Sequence, residues 1–377
     1  MSRTKRFILP RLYFLKLALA KAKLKIGIRL GLVRSLMIMP YKGFGNENEI
    51  HFVVRVIRDR GIGISQLEDS SWRNFKKMYK RFMTWQIPGA RVKATFHGME
   101  QVSETDEEGY AEFHLPITAS FVPNGLWHEV QLSLLDQIIP KQGEVRAENR
   151  ILMPSGNVEY GIISDIDDTI VPTGATRIWE MLKTTFFGNA HSRVPFPGVS
   201  AFYQALAKGN DGIESNPFFY ISSSPWNLYD FLMEFLNVHD IPRGPLMLRD
   251  LGLSREQFIA GSHSEHKLLQ VEKIFEIERH LQFILIGDSG QHDPEIYLQV
   301  IQDYPGRVKV VYIRDVDPGR HAALEKIKAE VRALGVDMML VTDTTEAARD
   351  AISRDLIVDS DLFKIEKSKT LDEKKEI

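Results

Sequence analysis

The sequence predicts a mixed α/β protein with a basic N-terminal helix, a small antiparallel β-sandwich domain and a larger domain built on a parallel sheet. Three observations support this: apolar residues at helical spacing over residues 1–45, short β runs separated by turns over 46–150, and alternating strands and helices over 151–360. A charged tail follows at 361–377. A chain of 377 residues is long enough for about two domains.

The composition restricts the kinds of metal site that the protein can build. Its 44% hydrophobic content supports globular cores. The absence of cysteine excludes disulfides and thiolate zinc sites, so a bound metal must use carboxylates, histidines or carbonyl oxygens. We expect no nucleic acid partner, and the sequence gives no indication of the oligomeric state.

The N-terminal segment is strongly basic. Residues 1–46 contain eleven lysines and arginines and no acidic residue, which leaves about −13 for the rest of the chain. Apolar residues at i+3 and i+4 steps predict an amphipathic helix over 7–39. They are Ile8, Leu12, Leu15, Leu19, Ala22, Ile26, Leu30, Val33 and Met37. Two interpretations stay open: the helix lies on an anionic membrane surface, or it packs on the next domain.

The same basic residues interrupt every apolar run in this segment. No run reaches the ~18 to 20 residues that a membrane span requires, and none suits the apolar region of a secretory signal. We therefore expect a cytoplasmic protein, which would attach peripherally to a membrane if the first interpretation of the helix holds.

The second region is predicted to form an antiparallel sandwich. Its β runs cover residues 51–57, 90–97, 110–115 and 128–134, and turn sequences fall between them. Aromatic residues at helical spacing between Trp72 and Trp85 are interpreted as packing residues. The Pro- and Gly-containing stretch at 151–158 is predicted to be a linker.

The third region alternates strands with helices, which predicts βαβ units and a parallel sheet. The strands are expected at 158–164, 217–222, 245–248, 282–287, 308–313 and 337–342. The helices are expected at 199–207, 226–237, 265–280, 294–302 and 319–334. The charged residues from Lys364 to Ile377 are expected to be frayed.

The first strand of this region ends in Asp165-Ile166-Asp167-Asp168-Thr169. Ligands of open α/β sheets bind beyond the carboxyl ends of the strands, so Asp165 and Asp167 are predicted to project into a crevice. Three carboxylates within four residues repel one another, and a divalent cation is the usual remedy. An acidic turn of this kind could also simply cap a helix.

Three further motifs follow in order. Ser222 ends a strand, Lys267 opens a helix, and Asp288 ends a strand five residues before Asp293. Together with the acidic motif, they resemble the haloacid dehalogenase superfamily of phosphoryl-transfer enzymes. This resemblance implies a haloacid-dehalogenase-like Rossmannoid parallel sheet.

Longer runs narrow the resemblance. The segments 220–229 and 287–297, with His266-Lys267, are similar to the catalytic domain of actin-patch-protein-type phosphatidate phosphatases, which is related to the lipin catalytic domain. The resemblance covers about residues 155–345. It implies a Mg²⁺-dependent enzyme that hydrolyses phosphatidic acid, or a related phospholipid, to diacylglycerol and phosphate.

The resemblance, with charge and position, assigns roles to the first set of residues. Asp165 is the expected nucleophile, which forms an aspartyl-phosphate. Asp167 is the expected general acid and base. Mg²⁺ is expected on Asp165, Asp288 and the main-chain carbonyl of Asp167, with Asp293 behind them or as an alternative ligand.

The remaining candidates are expected to contact the phosphate. Thr169, Ser222 and Ser223 offer hydroxyl donors, although Ser223 also suits an ordinary loop. Lys267 supplies a positive charge to the transferring group and to Asp165.

Two other functions stay open. The substrate could be a soluble phosphomonoester or a phosphoprotein, or the domain could be a non-catalytic phospholipid-binding module on the same fold. The presence of both Asp165 and Asp167 counts against a pure binding module, which needs no acid and base. The spacing of His263, His266 and His292 fits no zinc signature.

Overall fold

The computed structural model describes residues 3–59, 85–118, 121–154, 158–170, 195–213, 215–249 and 263–374, without the side chains of 3–15, 263 and 264. The chain divides into two compact units, which we call the N-terminal and C-terminal units because their described residues meet at Met153 and Pro154. Most of the predicted aromatic stripe, residues 72–82, lies outside the described residues.

The N-terminal helix is shorter than predicted. Helix α1 covers Arg3–Arg29 and not 7–39. It ends before Gly31, whose φ of +67° lies in the left-handed region that glycine adopts readily. Residues Leu36–Pro40 form strand β1 instead of continuing the helix. Val33 and Met37 keep the helical spacing, but the backbone of this segment pairs with a neighbouring strand, and this tertiary contact decides its structure.

Eight strands in the N-terminal unit are joined by hydrogen bonds into one sheet. Besides β1 they are β2 (Gly43–Gly45), β3 (Glu49–Arg58), β4 (Arg91–Phe96), β5 (Met99–Glu104), β6 (Tyr110–Pro116), β7 (Trp127–Leu134) and β8 (Arg146–Leu152). The order is β1-β3-β2-β8-β7-β4-β5, and β6 pairs with β3. The ladders are antiparallel except that between β2 and β8.

The sheet takes residues from both sides of the predicted domain. Strands β1 and β2 precede residue 46, and β8 enters the predicted linker up to Leu152. Side chains alternate along each strand as the period of two requires. On β3, for example, Ile50 and Phe52 are buried in the core, while Glu49 and His51 are half-buried on the other face.

The C-terminal unit contains a six-stranded sheet in which every pair is parallel, as predicted. Its strands are β9 (Gly161–Asp165), β10 (Phe218–Pro225), β11 (Leu246–Arg249), β12 (Phe283–Asp288), β13 (Val308–Arg314) and β14 (Asp337–Val341), in the order β11-β10-β9-β12-β13-β14. The helices are α2 (Val199–Lys208), α3 (Tyr229–Val238), α4 (His263–Ile277), α5 (Asp293–Asp303), α6 (His321–Ala333), α7 (Thr344–Ser353) and α8 (Ser360–Glu373).

The charged tail was predicted to be frayed, but its described residues form a helix up to Glu373. Within α8, Ile365 is fully buried and Asp372 accepts a hydrogen bond from the backbone of Gly198 at 3.1 Å. Lys369 also pairs with Asp343 at 3.0 Å. Because most of the segment is charged, its composition does not indicate these few packing residues. They hold the helix against its own unit.

Candidate active site

The central strands of the parallel sheet bring two predicted carboxylates to one edge. Strand β9 lies between β10 and β12, and its residues are all buried. Because the strands are parallel, their carboxyl ends meet at the same edge. Asp165 is the last residue of β9 and Asp288 the last of β12, and both side chains are buried.

Lys267 supplies a buried cation to this edge from the first turns of α4. Its Nζ lies 2.8 Å from Asp165 Oδ1 and 2.7 Å from Asp293 Oδ1. Burial by itself would lower the pKa of Lys267, but the carboxylates of Asp165 and Asp293 outweigh it and raise this pKa. The lysine is therefore charged at neutral pH.

One lysine does not neutralise the carboxylates around it. Burial raises the pKa of Asp165 well above its usual range; Lys267 opposes this shift, and the neighbouring carboxylates of Asp293, Asp167 and Asp288 add to it. Burial, followed by the charge of Asp293, raises the pKa of Asp288 to about 7. This excess of buried negative charge is the condition in which a protein binds a cation.

The side-chain amide of Gln291 marks where oxygen atoms converge. Its Nε2 lies 3.1 Å from Asp288 Oδ2, 3.2 Å from the Asp167 carbonyl oxygen and 3.5 Å from Asp165 Oδ2. These are the three oxygen ligands predicted for Mg²⁺. Carboxylate and carbonyl oxygens suit this hard cation, so the donor set fits the predicted metal. The neutral Gln291 amide donates hydrogen bonds to these oxygens but supplies no charge.

Asp293 has a different position from the other three. Carboxylate oxygens of Asp165, Asp288 and Asp293 lie within 4.8 Å of one another, so Asp293 is close enough to be a ligand. Its two oxygens, however, face Lys267 and the backbone N–H of Asp288, the latter at 3.2 Å. In this arrangement Asp293 orients the lysine and the end of β12.

The side chain of Asp167 points toward strand β10. Ser222 Oγ donates a hydrogen bond to Asp167 Oδ2 at 2.6 Å, and Ser224 Oγ lies 3.4 Å from the same oxygen. Ser224 also donates its backbone N–H to Ser222 Oγ at 2.9 Å. The predicted acid and base is thus held by hydroxyls. Ser223 is half-buried, and within the described part of the chain its hydroxyl forms no hydrogen bond with Asp167, Ser222 or Ser224.

Thr169 presents a hydroxyl that the described residues leave unused. The residue is 2% exposed, and its Oγ1 has no hydrogen-bond partner among them. Its backbone is fixed, because Arg314 Nε donates to the Thr169 carbonyl at 3.2 Å. Burying an unpaired hydroxyl is costly, and a ligand oxygen would satisfy it.

Three residues near the site were not predicted. Gln291 lies in the segment 287–297, which resembles the family, but no role was predicted for it. Arg314 ends β13 at the same edge of the sheet, and its position at a strand end is a signal that could have identified it. Arg320 comes from the following loop and donates to the carbonyls of Ser289, at 2.8 Å, and Gln291. It therefore clamps the loop between Asp288 and Asp293, and no local sequence signal indicates this.

A known family matches one segment of the chain, which contains the motifs at the edge of the parallel sheet. Residues 160–315 match the family described as "Phosphatidate phosphatase APP1, catalytic domain". Over 155 residues, 41% of this chain, the sequence is 32% identical to Phosphatidate phosphatase APP1 of Saccharomyces cerevisiae and covers 25% of it. Over 162 residues it is 28% identical to an uncharacterised protein of Schizosaccharomyces pombe, with coverages of 41% and 25%. The chain thus spans about a quarter of these relatives.

Solved structures offer only slight likenesses. A carbohydrate acetylesterase of Xanthomonas citri is 11% identical with a TM-score of 0.28, over 79% of this chain and 66% of that one. A β-glucuronidase of Bifidobacterium dentium is 10% identical with a TM-score of 0.26, over 85% and 57%. Likenesses of this size support no argument.

In the described residues, no helix is long and apolar enough to cross a membrane.

The family match and the yeast relative agree with the motifs on the edge of the parallel sheet. Residues 160–315 therefore carry a domain of the APP1-type phosphatidate phosphatase catalytic family.

Proposed function

We propose that this chain is a Mg²⁺-dependent phosphatidate phosphatase that hydrolyses phosphatidic acid to diacylglycerol and phosphate through an aspartyl-phosphate. The observation that carries the proposal is the buried Asp165 carboxylate, which lies 2.8 Å from Lys267 and beside the convergent oxygens of Asp167 and Asp288. The family of the domain supplies the substrate class.

The chemistry divides into two displacements. A carboxylate oxygen of Asp165 attacks phosphorus, and the bond from phosphorus to the glycerol oxygen breaks while Asp167 gives that oxygen a proton. Asp167 then takes a proton from water, which attacks the aspartyl-phosphate and releases phosphate. Ser222 would hold the Asp167 carboxyl in place during both steps.

The remaining residues would position the charges. Asp165, Asp288 and the Asp167 carbonyl would hold Mg²⁺. Its charge would reduce the repulsion between the Asp165 carboxylate and the anionic phosphate. Lys267 would attract the transferring phosphoryl group, and the unused hydroxyl of Thr169 would donate to one of its oxygens. The six parallel strands and the order of the motifs support a haloacid-dehalogenase-like classification.

The test is phosphate release from phosphatidate in mixed micelles with Mg²⁺, with Asp165→Asn compared with the exposed control Asp303→Asn. We expect turnover by the wild type and the control, and a loss of several orders of magnitude in Asp165→Asn. Release from soluble phosphate esters alone would support the alternative of a soluble phosphomonoester or phosphoprotein. Retention of more than about a tenth of the activity by Asp165→Asn would contradict the covalent step.

We further propose that α1 lies on an anionic membrane surface. Leu19, Ile26 and Leu30 are 63%, 56% and 67% exposed, and they belong to the apolar stripe that the sequence predicts. Another side of the helix packs on its own unit: Leu24 is buried, and a Cβ placed on Gly27 would lie 2.5 Å from the ring of Trp85. A stripe of apolar residues beside basic ones is typical of helices that lie in a membrane interface.

Truncation is a poor test because removing residues 1–40 would also remove β1 from its sheet. We instead propose Lys23→Gln, Lys25→Gln and Arg29→Gln together. Each basic residue contributes about 1 kcal/mol near an anionic surface, so flotation should show roughly 100-fold weaker binding to anionic vesicles. A matched triple change on α6, Lys326→Gln, Lys328→Gln and Arg332→Gln, should have little effect. Equal binding to neutral and anionic vesicles would instead make α1 a packing element.

A further inference from the structure

Three side chains on the polar face of the antiparallel sheet converge away from the proposed active site. Glu49 and His51 alternate with the buried Ile50 and Phe52 on β3, so both point to the opposite face. Strand β6 pairs antiparallel with β3 and places His114 directly opposite His51. Directly opposite residues share a face, so the sheet itself brings two imidazoles and a carboxylate together.

The three potential ligand atoms face a common point. His51 Nε2 lies 2.9 Å from Glu49 Oε2, and His114 Nε2 contacts the same oxygen. The two rings stack with centroids 4.1 Å apart and an angle of 23° between their planes. The potential ligand atoms all lie within 4.8 Å of one another.

We propose that Glu49, His51 and His114 form a binding site for a transition-metal ion of the Zn²⁺ class. Imidazole nitrogens favour zinc and its neighbours over magnesium, which prefers oxygen ligands alone. Three protein ligands with a fourth position open to water are a known arrangement of protein zinc sites. The site is thus chemically distinct from the oxygen cluster of Asp165 and Asp288.

The charge state of the cluster suits a metal. Ligation needs neutral imidazoles and an ionised carboxylate. The hydrogen bond with His51 lowers the pKa of Glu49, and the contact with His114 adds to this effect, so the carboxylate is ionised at neutral pH.

The site is both held in place and open to solvent. On the core face, Phe52 and Phe113 occupy the next register position and stack with centroids 4.8 Å apart. This packing limits movement of the two strands. The side chains of Glu49 and His51 are 23% and 17% exposed, whereas that of His114 is 60% exposed. An ion can therefore enter without opening the sheet.

The test is calorimetric titration of the full chain with Zn²⁺. It is run with Mg²⁺ in excess and in an Asp288→Asn background, so that the oxygen cluster contributes no zinc binding. We expect one bound Zn²⁺ per chain. His114→Gln should weaken its binding by at least about 10-fold, since loss of even an outer partner of a metal site costs that much. The exposed control His280→Gln should bind as the background does.

A second measurement separates ligation from damage to the fold. Zn²⁺ should raise the melting temperature of the Asp288→Asn background and shift the NMR signals of the His51 and His114 rings. In His114→Gln the zinc-free melting temperature should be unchanged and the zinc-induced rise lost. Absence of zinc binding in the background, or unchanged binding in His114→Gln, would overturn the proposal and leave a simple carboxylate and histidine hydrogen-bond cluster.

Discussion

Two polar clusters of this molecule differ in how their charges are balanced. Around Lys267, the buried carboxylates of Asp165, Asp288 and Asp293 outnumber the cation, and the pKa of Asp288 is raised to about 7, first by burial. The cluster of Glu49, His51 and His114 is partly exposed, and the pKa of Glu49 is lowered, first by its hydrogen bond with His51. The excess of charge is thus costly in the buried cluster, because water is excluded there and only a bound cation could offset it.

The largest expected effect is the loss of turnover when Asp167 is replaced, because its proposed role differs from that of the carboxylates around Lys267. Asp167→Asn should lower phosphatidate turnover by about 10²- to 10⁴-fold, because it removes the proposed proton donor and acceptor. Aspartyl-phosphate formation from a nitrophenyl ester should be much less affected, because its leaving group needs little protonation. Rapid-quench measurement with the two substrates checks this. Equal losses for both would remove the general-acid role from Asp167.

A second prediction compares a buried and an exposed ion pair. Lys267→Met should lower the free energy of unfolding by about 3 to 5 kcal/mol, because it leaves buried carboxylates without their cation. Lys93 pairs with Glu100 at 2.8 Å on the surface, and Lys93→Met should cost about 0.2 to 1 kcal/mol. Urea unfolding without divalent cations measures both. Similar losses would mean that burial does not distinguish the two pairs.

The smallest expected effect concerns pH. The pKa of Asp288 is higher in the folded than in the unfolded protein, so between about pH 4 and 7 the folded state binds more protons. This carboxyl therefore reduces stability progressively as the pH rises through that window. Without divalent cations, the melting temperature of Asp288→Asn should exceed that of the wild type by more at pH 7.5 than at pH 5. If the difference in melting temperature between the two proteins did not depend on pH, the pKa of Asp288 would not be raised in the folded protein.

The sequence predicted the parallel sheet well because its strands are buried on both faces and appear as continuous apolar runs, as in 283–288. It predicted Asp165, Asp167 and Asp288 at one edge because parallel strands end together. The prediction for Lys267, which lies in a helix, came from the family resemblance. Strands β5 and β8 were not predicted, since their residues are largely polar and part-exposed. The register between β3 and β6, which places His51 opposite His114, cannot be predicted from local sequence. The same holds for the hydrogen bonds of Arg320 to the loop after Asp288.

The family-matched segment ends one residue beyond β13, whereas the sheet continues to β14. A fragment limited to residues 160–315 would turn β13 into an edge strand, with the apolar run from Val310 to Ile313 lacking its outer neighbour. Such an edge invites pairing between chains and aggregation. It would also lose the hydrogen bond from Tyr160 to the Leu356 carbonyl. The segment that matches the family and the segment that completes the parallel sheet therefore end at different residues in this chain.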